Sequence, residues 1–546
     1  MILKVENLRT RFHHHDTTVE AVNDVSFDLP RGTTLAIVGE SGSGKSVTAR
    51  SLLQILDPGG RIEHGTAMFT SDPGGESIDL LSLDPRGPEI RAIRGRQISM
   101  IFQEPMASLS PMYTVGGHLV EVLRIHLGLD KAQAWERGVR LLAKVGIPQP
   151  EARMTSYPFQ LSGGMCQRVM TAIALACEPR LLIADEPTTA LDVTTQAKIL
   201  DLLDEIKATE ELSMLFITHD LGVVARVADT VAVMRDGDVV EHGEVDQIFH
   251  DPRHDYTKHL LGSRPTAWKA RSRVTSPVPE DQAPPRIAAV DDLYVTFDGQ
   301  VHAVRGVSFD IYAGETLGLV GESGSGKTTT GRCLVAAQKP SSGDITYWDA
   351  DGAEHDIAAL GKRALKKLRT QVRMIFQDPY TSLNPRMTLL DIIADPLRVN
   401  GLAKGGEIKE RVARALETVG LHPDHMNRYP HAFSGGQRQR VNIARALITE
   451  PRLVIADEAV SALDVSVRAQ ILELLQRLQE ELGLTYLFIS HDLSVVEAIC
   501  DRVAVMRYGR LVEVNTTAAL FSDPQEDYTR ELLDAVPVPD PRLYAS

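Results

Sequence analysis

The sequence predicts an α/β protein in which one domain is written twice in tandem, each copy a parallel sheet covered by helices on both faces. Three observations carry this. GESGSGKS at 39–46 returns as GESGSGKT at 321–328, LSGGMCQR at 161–168 as FSGGQRQR at 433–440, and LLIADE at 181–186 as LVIADE at 453–458. Ser162/Ser434, Asp185/Asp457, His219/His491 and Tyr256/Tyr528 are each 272 residues apart, a register that two copies of one domain would keep. Short runs apolar on both faces precede these loops and alternate with helical patterns, as buried parallel strands do.

Residues 35–38 and 317–320 lead into the Gly-rich loops, 181–184 and 453–456 end in paired acids, and 215–218 and 487–490 lead into the histidines. Between the glutamines at 103 and 377 and the SGG segments lies a helix-rich insert, 104–160 and 378–432, whose VGGHLVEVLRIHLGL stretch has helical period. The first copy is expected to span 1–262 with its tail. A Pro/Ser-rich linker follows at 263–285, and the second copy with its tail occupies 286–546. The copies differ mainly after the Gly-rich loop. Lys45 and Gln103 are 58 residues apart, Lys327 and Gln377 only 50, and the extra length is expected in the Gly/Pro/Asp-rich loop 71–88.

At 546 residues each copy is long enough for its own core. No apolar run approaches the roughly 18–20 residues that cross a bilayer. MILKVENLRTRF at the start alternates like a strand and lacks the blocks of a signal peptide. A cytosolic chain is expected, with any membrane role borrowed from a partner. The net charge of −15 argues against nucleic acid as a partner. Cys166, Cys177, Cys333 and Cys500 show no CxxC spacing, so neither a disulfide framework nor a structural metal site is expected. His13-His14-His15 reads as a solvated loop, because three consecutive residues do not face one ligand position on a strand.

Both Gly-rich loops satisfy GxxxxGK[ST] between a strand and a helix. Gly39, Glu40, Ser41, Gly42, Ser43 and Gly44, with Gly321, Glu322, Ser323, Gly324, Ser325 and Gly326, are expected to turn backbone N–H groups onto phosphate oxygens. Lys45 and Lys327 would hold the β- and γ-phosphates of ATP, while Ser46 and Thr328 place a hydroxyl on Mg²⁺. Asp185 and Asp457 end buried strands, where a carboxylate without a metal shell would be costly. Glu186 and Glu458 follow as general bases for water. Gln103 and Gln377 suit a neutral ligand to Mg²⁺ or that water, and His219 and His491 a contact to the γ-phosphate. Ser162-Gly163-Gly164 and Ser434-Gly435-Gly436 open helices and offer a second phosphate-binding site. Two such sites per domain suggest a head-to-tail pseudo-dimer. Phe12 and Phe297 are positioned to stack on adenine, and a place in the sheet core is equally open to them.

The ordered set resembles a fused pair of ABC-transporter nucleotide-binding domains over nearly all the chain outside the linker. The resemblance implies in each copy a RecA-like P-loop NTPase core, an antiparallel β subdomain and a helical subdomain. It makes the SGG segments signature motifs, Gln103 and Gln377 Q-loops, His219 and His491 switch histidines, and Ala190-Leu191-Asp192 and Ala462-Leu463-Asp464 D-loops. FQEPMASLSP at 102–111, FQDPYTSLNP at 376–385, HDYTKHLL at 254–261 and EDYTRELL at 526–533 resemble the oligopeptide/dipeptide/nickel importer branch. That implies an ATP-hydrolysing importer subunit, one copy per transporter, on the cytoplasmic face of a bacterial inner membrane. Its partners would be two integral-membrane permeases and an extracytoplasmic substrate-binding protein. Some members carry an iron–sulfur cysteine cluster in the tail; no cysteine follows His254 before Cys333 and none follows Cys500, so no cluster is expected. Two departures stand out: Met165 where the second copy has Gln437, and Ala459 where the first has Pro187. The alternative is a soluble twin-cassette ATPase acting on ribosomes, but that group joins its cassettes by a long charged helical arm. A DNA-repair twin ATPase would need zinc-binding cysteines that this chain lacks.

Overall fold

The structure is a computed structural model describing residues 1–13, 17–103, 108–188, 191–262, 284–378, 381–461 and 463–544. The linker, apart from residues 284–285, and His14, His15, Ala190 and Ala462 lie outside the described residues. Two compact units form: Met1–Gly262 with Ala535–Ser546, and Ser263–Asp534.

In the first unit the strands are β1 (Leu3–His13), β2 (Thr18–Leu29), β3 (Thr34–Val38), β4 (Gly60–Phe69), β5 (Ile78–Asp79), β6 (Ile98–Ile101), β7 (Leu181–Asp185), β8 (Ser213–Ile217), β9 (Thr230–Arg235) and β10 (Asp238–Glu244). One sheet runs β10-β9-β3-β8-β7-β6, and a four-stranded sheet runs β2-β1-β4-β5. In the larger sheet every neighbouring pair is parallel except β9–β10. The smaller one is antiparallel throughout. Strands β3, β7 and β8 are buried along their whole length, which is why their sequences read as unbroken apolar runs. Their parallel arrangement brings the loops after β3, β7 and β8 to one edge of the sheet, where ligands of such sheets bind.

The second unit repeats this with β11 (Arg286–Phe297), β12 (Val301–Tyr312), β13 (Thr316–Val320), β14 (Ser342–Trp348), β15 (Glu354–Asp356), β16 (Val372–Ile375), β17 (Leu453–Asp457), β18 (Thr485–Ile489), β19 (Arg502–Arg507) and β20 (Arg510–Thr516). The sheets run β16-β17-β18-β13-β19-β20 and β12-β11-β14-β15. The insert is helical in both, at Val115–Leu127 and Lys131–Lys144, and at Leu389–Asn400 and Gly406–Thr418. Local chemistry fixes these ends. Thr114 and Thr388 cap their helices through the hydroxyl, and Asp130 with Gln133 forms a reciprocal capping box. In the first unit the insert contributes Leu119, Leu123 and Leu142 to a core shared with the SGG helix, so SGG is held by packing as well as by sequence.

Two expectations need correction. The extra length of the first copy is not concentrated in loop 71–88. Gly65 and Gly343 occupy matching places, each with a Cβ position blocked by the bulge of the neighbouring strand. Residues 45–65 correspond to 327–343, so half of the extra length precedes that glycine and lengthens β4. The second correction concerns the tail. The helix Asp527–Asp534 packs in the second unit through Tyr528 and Leu532. Beyond it, Pro537, Pro539 and Pro541 forbid a continuing helix, and residues 535–546 belong to the first unit. There Arg542 donates to both carboxylate oxygens of Asp246 at 2.8 and 3.3 Å, and Asp540 lies 3.4 Å from His250. The Pro537 carbonyl sits where a Cβ on Gly222 would be, 2.3 Å away. The second copy has Ser494, Ala518 and Ser522 at the places of Gly222, Asp246 and His250, so only the first copy is built to take this segment.

Candidate functional site

The Gly-rich loop joins β3 to the helix Lys45–Leu52, and its twin joins β13 to Lys327–Leu334. Gly39 has φ +152° and a Cβ there would lie 2.1 Å from the Met234 carbonyl; Gly44 has φ +99° and would meet the Ala21 carbonyl at 2.3 Å. Gly321 and Gly326 repeat both contacts against Met506 and Ala303. These glycines are demanded by close backbone approach as well as by φ. The turns after β9 and β19 brace the loops further: the Gly237 and Gly509 amides donate to the Ser43 and Ser325 carbonyls, both at 3.1 Å.

Lys45 is buried with its ammonium curled back, donating to the carbonyls of Gly39 and Glu40, both at 2.8 Å. Lys327 does the same to Gly321 and Glu322 at 2.7 and 2.8 Å. Ser46 donates to Asp185 Oδ1 and Thr328 to Asp457 Oδ1, each at 2.8 Å. Asp185 is fully buried and its Oδ2 has no hydrogen-bond partner. Burial pushes the carboxyls of both Asp185 and Asp457 up, against the opposing hydroxyl bonds and nearby cations. A buried hydroxyl–carboxylate pair with one oxygen unused fits a hard divalent cation such as Mg²⁺.

Next along, Glu186 and Glu458 adopt φ +48° and +47°, the left-handed region that non-glycine residues rarely enter. Their amides donate to the carbonyls ending β8 and β18, Ile217 and Ile489, at 2.8 and 2.9 Å, which holds that strained turn. Each glutamate is then gripped on both oxygens. Gln103 donates to Glu186 Oε2 at 3.0 Å, and His219 Nδ1 lies 3.3 Å from Oε1. Gln377 donates to Glu458 Oε2 at 2.6 Å, and His491 Nδ1 lies 3.2 Å from Oε1. Burial alone would push the Glu458 carboxyl up. The His491 hydrogen bond and charge, with Lys327 and Gln377, outweigh it and hold the carboxyl below its ordinary value. Burial likewise opposes charge on His491, and Glu458 with Asp492 reverses the sign, so the imidazole is held above its ordinary value. The sequence had separated these groups into a metal ligand, a base and a phosphate contact; the structure gathers all three around one carboxylate.

The SGG segments start the helices Gly163–Leu175 and Gly435–Leu447, with exposed Ser162 and Ser434 as caps. Ser434 and Gln437 exchange two hydrogen bonds at 3.4 and 3.1 Å. Met165 offers only its amide, which donates to the Ser162 hydroxyl at 3.3 Å, so one bond of the box is missing in the first copy. Sequence reading missed Gln167 on the same helix, which is buried and donates to the Pro187 carbonyl at 2.6 Å, next to Glu186. Its place five residues after Ser162 was the available signal. Asp192 caps the following helix through Thr195 at 2.9 Å. Phe12 is half-buried and Phe297 is 39% exposed, so neither ring is a core residue.

Fold and site are those of a phosphate-loop ATPase cassette, present twice. The ABC transporter family model matches residues 22–189 and 304–461, and the oligopeptide/dipeptide transporter C-terminal region matches 240–288 and 512–544. The chain belongs to the ABC transporter family and is an ATPase of its peptide-importer branch. The glutathione import ATP-binding protein GsiA of Escherichia coli (strain K12) is 48% identical over 99% of this chain and 90% of its own length. That of Salmonella typhimurium is 47% identical over the same shares. Among solved structures, cbiO1 from Clostridium perfringens, part of the ABC transporter complex cbiONQ, is 32% identical over 44% of this chain and 91% of its own, with a TM-score of 0.39. The C-terminal region at the end of each copy speaks against the ribosome-acting alternative. Among the described residues no helix is long and apolar enough to cross a membrane.

Proposed function

We propose that each unit binds Mg²⁺–ATP on its Gly-rich loop and that hydrolysis drives uptake of a peptide or a glutathione-like solute through two partner permeases. Lys45 and Lys327 hold the β- and γ-phosphates. Ser46 with Asp185, and Thr328 with Asp457, would hold Mg²⁺, with Gln103 and Gln377 as further ligands. When bound, the cation neutralises phosphate charge. Glu186 and Glu458 orient and deprotonate the attacking water, His219 and His491 keep the carboxylates aimed, and His491 keeps Glu458 charged until the γ-phosphate arrives. Ser162-Gly163-Gly164 and Ser434-Gly435-Gly436, at exposed helix N-termini, supply a second phosphate contact. The observation that carries the chemistry is the Gln–Glu–His grip beside the Gly-rich loop, found in both units with the same atoms paired.

The transport reading is supported by the glutathione-importing relatives and by the peptide-transporter region repeated at 240–288 and 512–544. It places the chain on the cytoplasmic face of a bacterial inner membrane, supplied with solute by an extracytoplasmic binding protein. Affinity capture from detergent-solubilised membranes of the native host, read by mass spectrometry, tests it. Two multi-span permeases in equal amounts are expected, and their binding protein then names the solute. Recovery of soluble partners without a permease would overturn the transport reading and leave the ATPase standing.

A further inference from the structure

The peptide-transporter region has a hydrogen-bond path into the Gly-rich loop, and the path occurs twice. In the first unit the Glu40 amide donates to the Tyr256 hydroxyl at 3.2 Å; in the second, the Glu322 amide donates to Tyr528 at 3.3 Å. Both rings are buried, at 7% and 4% exposure. Each is covered by the arginine that ends the bracing strand, Arg235 at 5.0 Å and Arg507 at 4.3 Å from the ring centre. The turn before each tyrosine helix is fixed by one carboxylate. Glu241 accepts from the amides of Arg253 and His254 at 2.8 and 3.0 Å, and Glu513 from those of Gln525 and Glu526 at 3.1 and 3.2 Å.

A trans peptide points its carbonyl and its N–H in opposite directions. The Gly39–Glu40 peptide is therefore gripped at both ends: Lys45 holds its carbonyl at 2.8 Å and Tyr256 takes its N–H. Lys327 and Tyr528 do the same to Gly321–Glu322. Rotation of that plane would carry away an acceptor on which the lysine ammonium rests. We propose that Tyr256 and Tyr528 are positioning residues for nucleotide binding, fixing the base of each Gly-rich loop so that its lysine is preset for phosphate. The C-terminal region of each cassette thus has a role in ATP affinity. This rests on the assignment of the Gly-rich loops as the nucleotide sites.

A buried tyrosine hydroxyl needs some partner, and packing alone would account for the ring. Tyr256→Phe with Tyr528→Phe separates the two, since ring, burial and arginine contact survive and only the acceptor oxygen goes. In the full chain, titration with a fluorescent ATP analogue and steady-state ATPase kinetics should show Kd and KM raised about 3- to 10-fold, the range of one neutral hydrogen bond. The kcat should change less than about twofold. Unchanged Kd overturns the proposal, as does a lowered melting midpoint with unchanged Kd, which would assign the hydroxyls to packing. Each single variant, with one site intact, gives the same readout should the double variant fold poorly. Lys45→Ala with Lys327→Ala is the control. If it leaves nucleotide bound, the loop assignment itself falls; if it abolishes binding while the phenylalanine variants bind normally, only the tyrosine role falls.

Discussion

Replacing Glu186 and Glu458 together by Gln removes two charges and almost no volume. Each glutamine carbonyl can still accept from Gln103 or Gln377, and the histidine can meet the new amide in its other tautomer. The grip survives while the base disappears. A positioned general base contributes about 10²- to 10⁴-fold, so the barrier should rise by about 3–5 kcal/mol. Steady ATPase should fall to a percent or less of wild type, with nucleotide affinity within about threefold, since no phosphate contact is touched. The same variant carries an internal control in the second unit. Glu458 is the larger of the two carboxylate influences that reverse the effect of burial on His491, Asp492 being the other, so in the variant the imidazole should titrate below its ordinary value, where wild type titrates above it. The pair's contribution to stability is full below the unfolded histidine pKa of about 6.5 and is lost as pH rises through the raised value. On the acid side it is present above about pH 4.3 and lost as pH falls through the lowered Glu458 value. Phosphate release measures the rate, and imidazole NMR the titration. Turnover by the double variant within twofold of wild type would refute the assigned base. An unmoved His491 titration would refute the pairing.

Asp185→Asn should leave the nucleotide-free protein as stable or about 1 kcal/mol more stable, because burial disfavours the native charge; thermal shifts should lose the increment that Mg²⁺ adds to ADP. Met165→Gln should complete the capping box that Gln437 already forms and stabilise the first unit by about 0.5 kcal/mol in urea unfolding. Glu315, pushed by burial up to about 7 against the opposing Arg502, binds a proton in the folded state that the unfolded chain releases near pH 4.3. Stability should therefore decline as pH rises from about 4.5 to 7, by up to about 3–4 kcal/mol, and Glu315→Gln should flatten that window in denaturant titrations at stepped pH.

The strands, the Gly-rich loops and the acids after β7 and β17 were legible because each is encoded locally, by an apolar run followed by glycines or carboxylates at fixed spacing. The grip on Glu186 was not. Gln103 and His219 lie 83 and 33 residues away, and only the sheet order that sets β6, β7 and β8 side by side converges them. Composition could not place residues 535–546 either. Their prolines exclude a helix, but the partner that claims them, Asp246, is 296 residues from Arg542. The longer β4 escaped notice because loop-forming residues at 71–88 offered an easier place for the extra length. Tyr256 and Tyr528 were visible as a repeated pair; what their hydroxyls touch required the loop's backbone.

The claim of the first unit on residues 535–546 sets a clock during synthesis. Residues 1–262 leave the ribosome about 270 residues before the segment that covers Gly222 and Asp246 is made. At about 5–20 residues per second that is a wait of roughly 14 to 55 s. Over that time the first cassette must hold its fold with the patch bare, and Arg542 reaches Asp246 only after the whole second cassette has been translated.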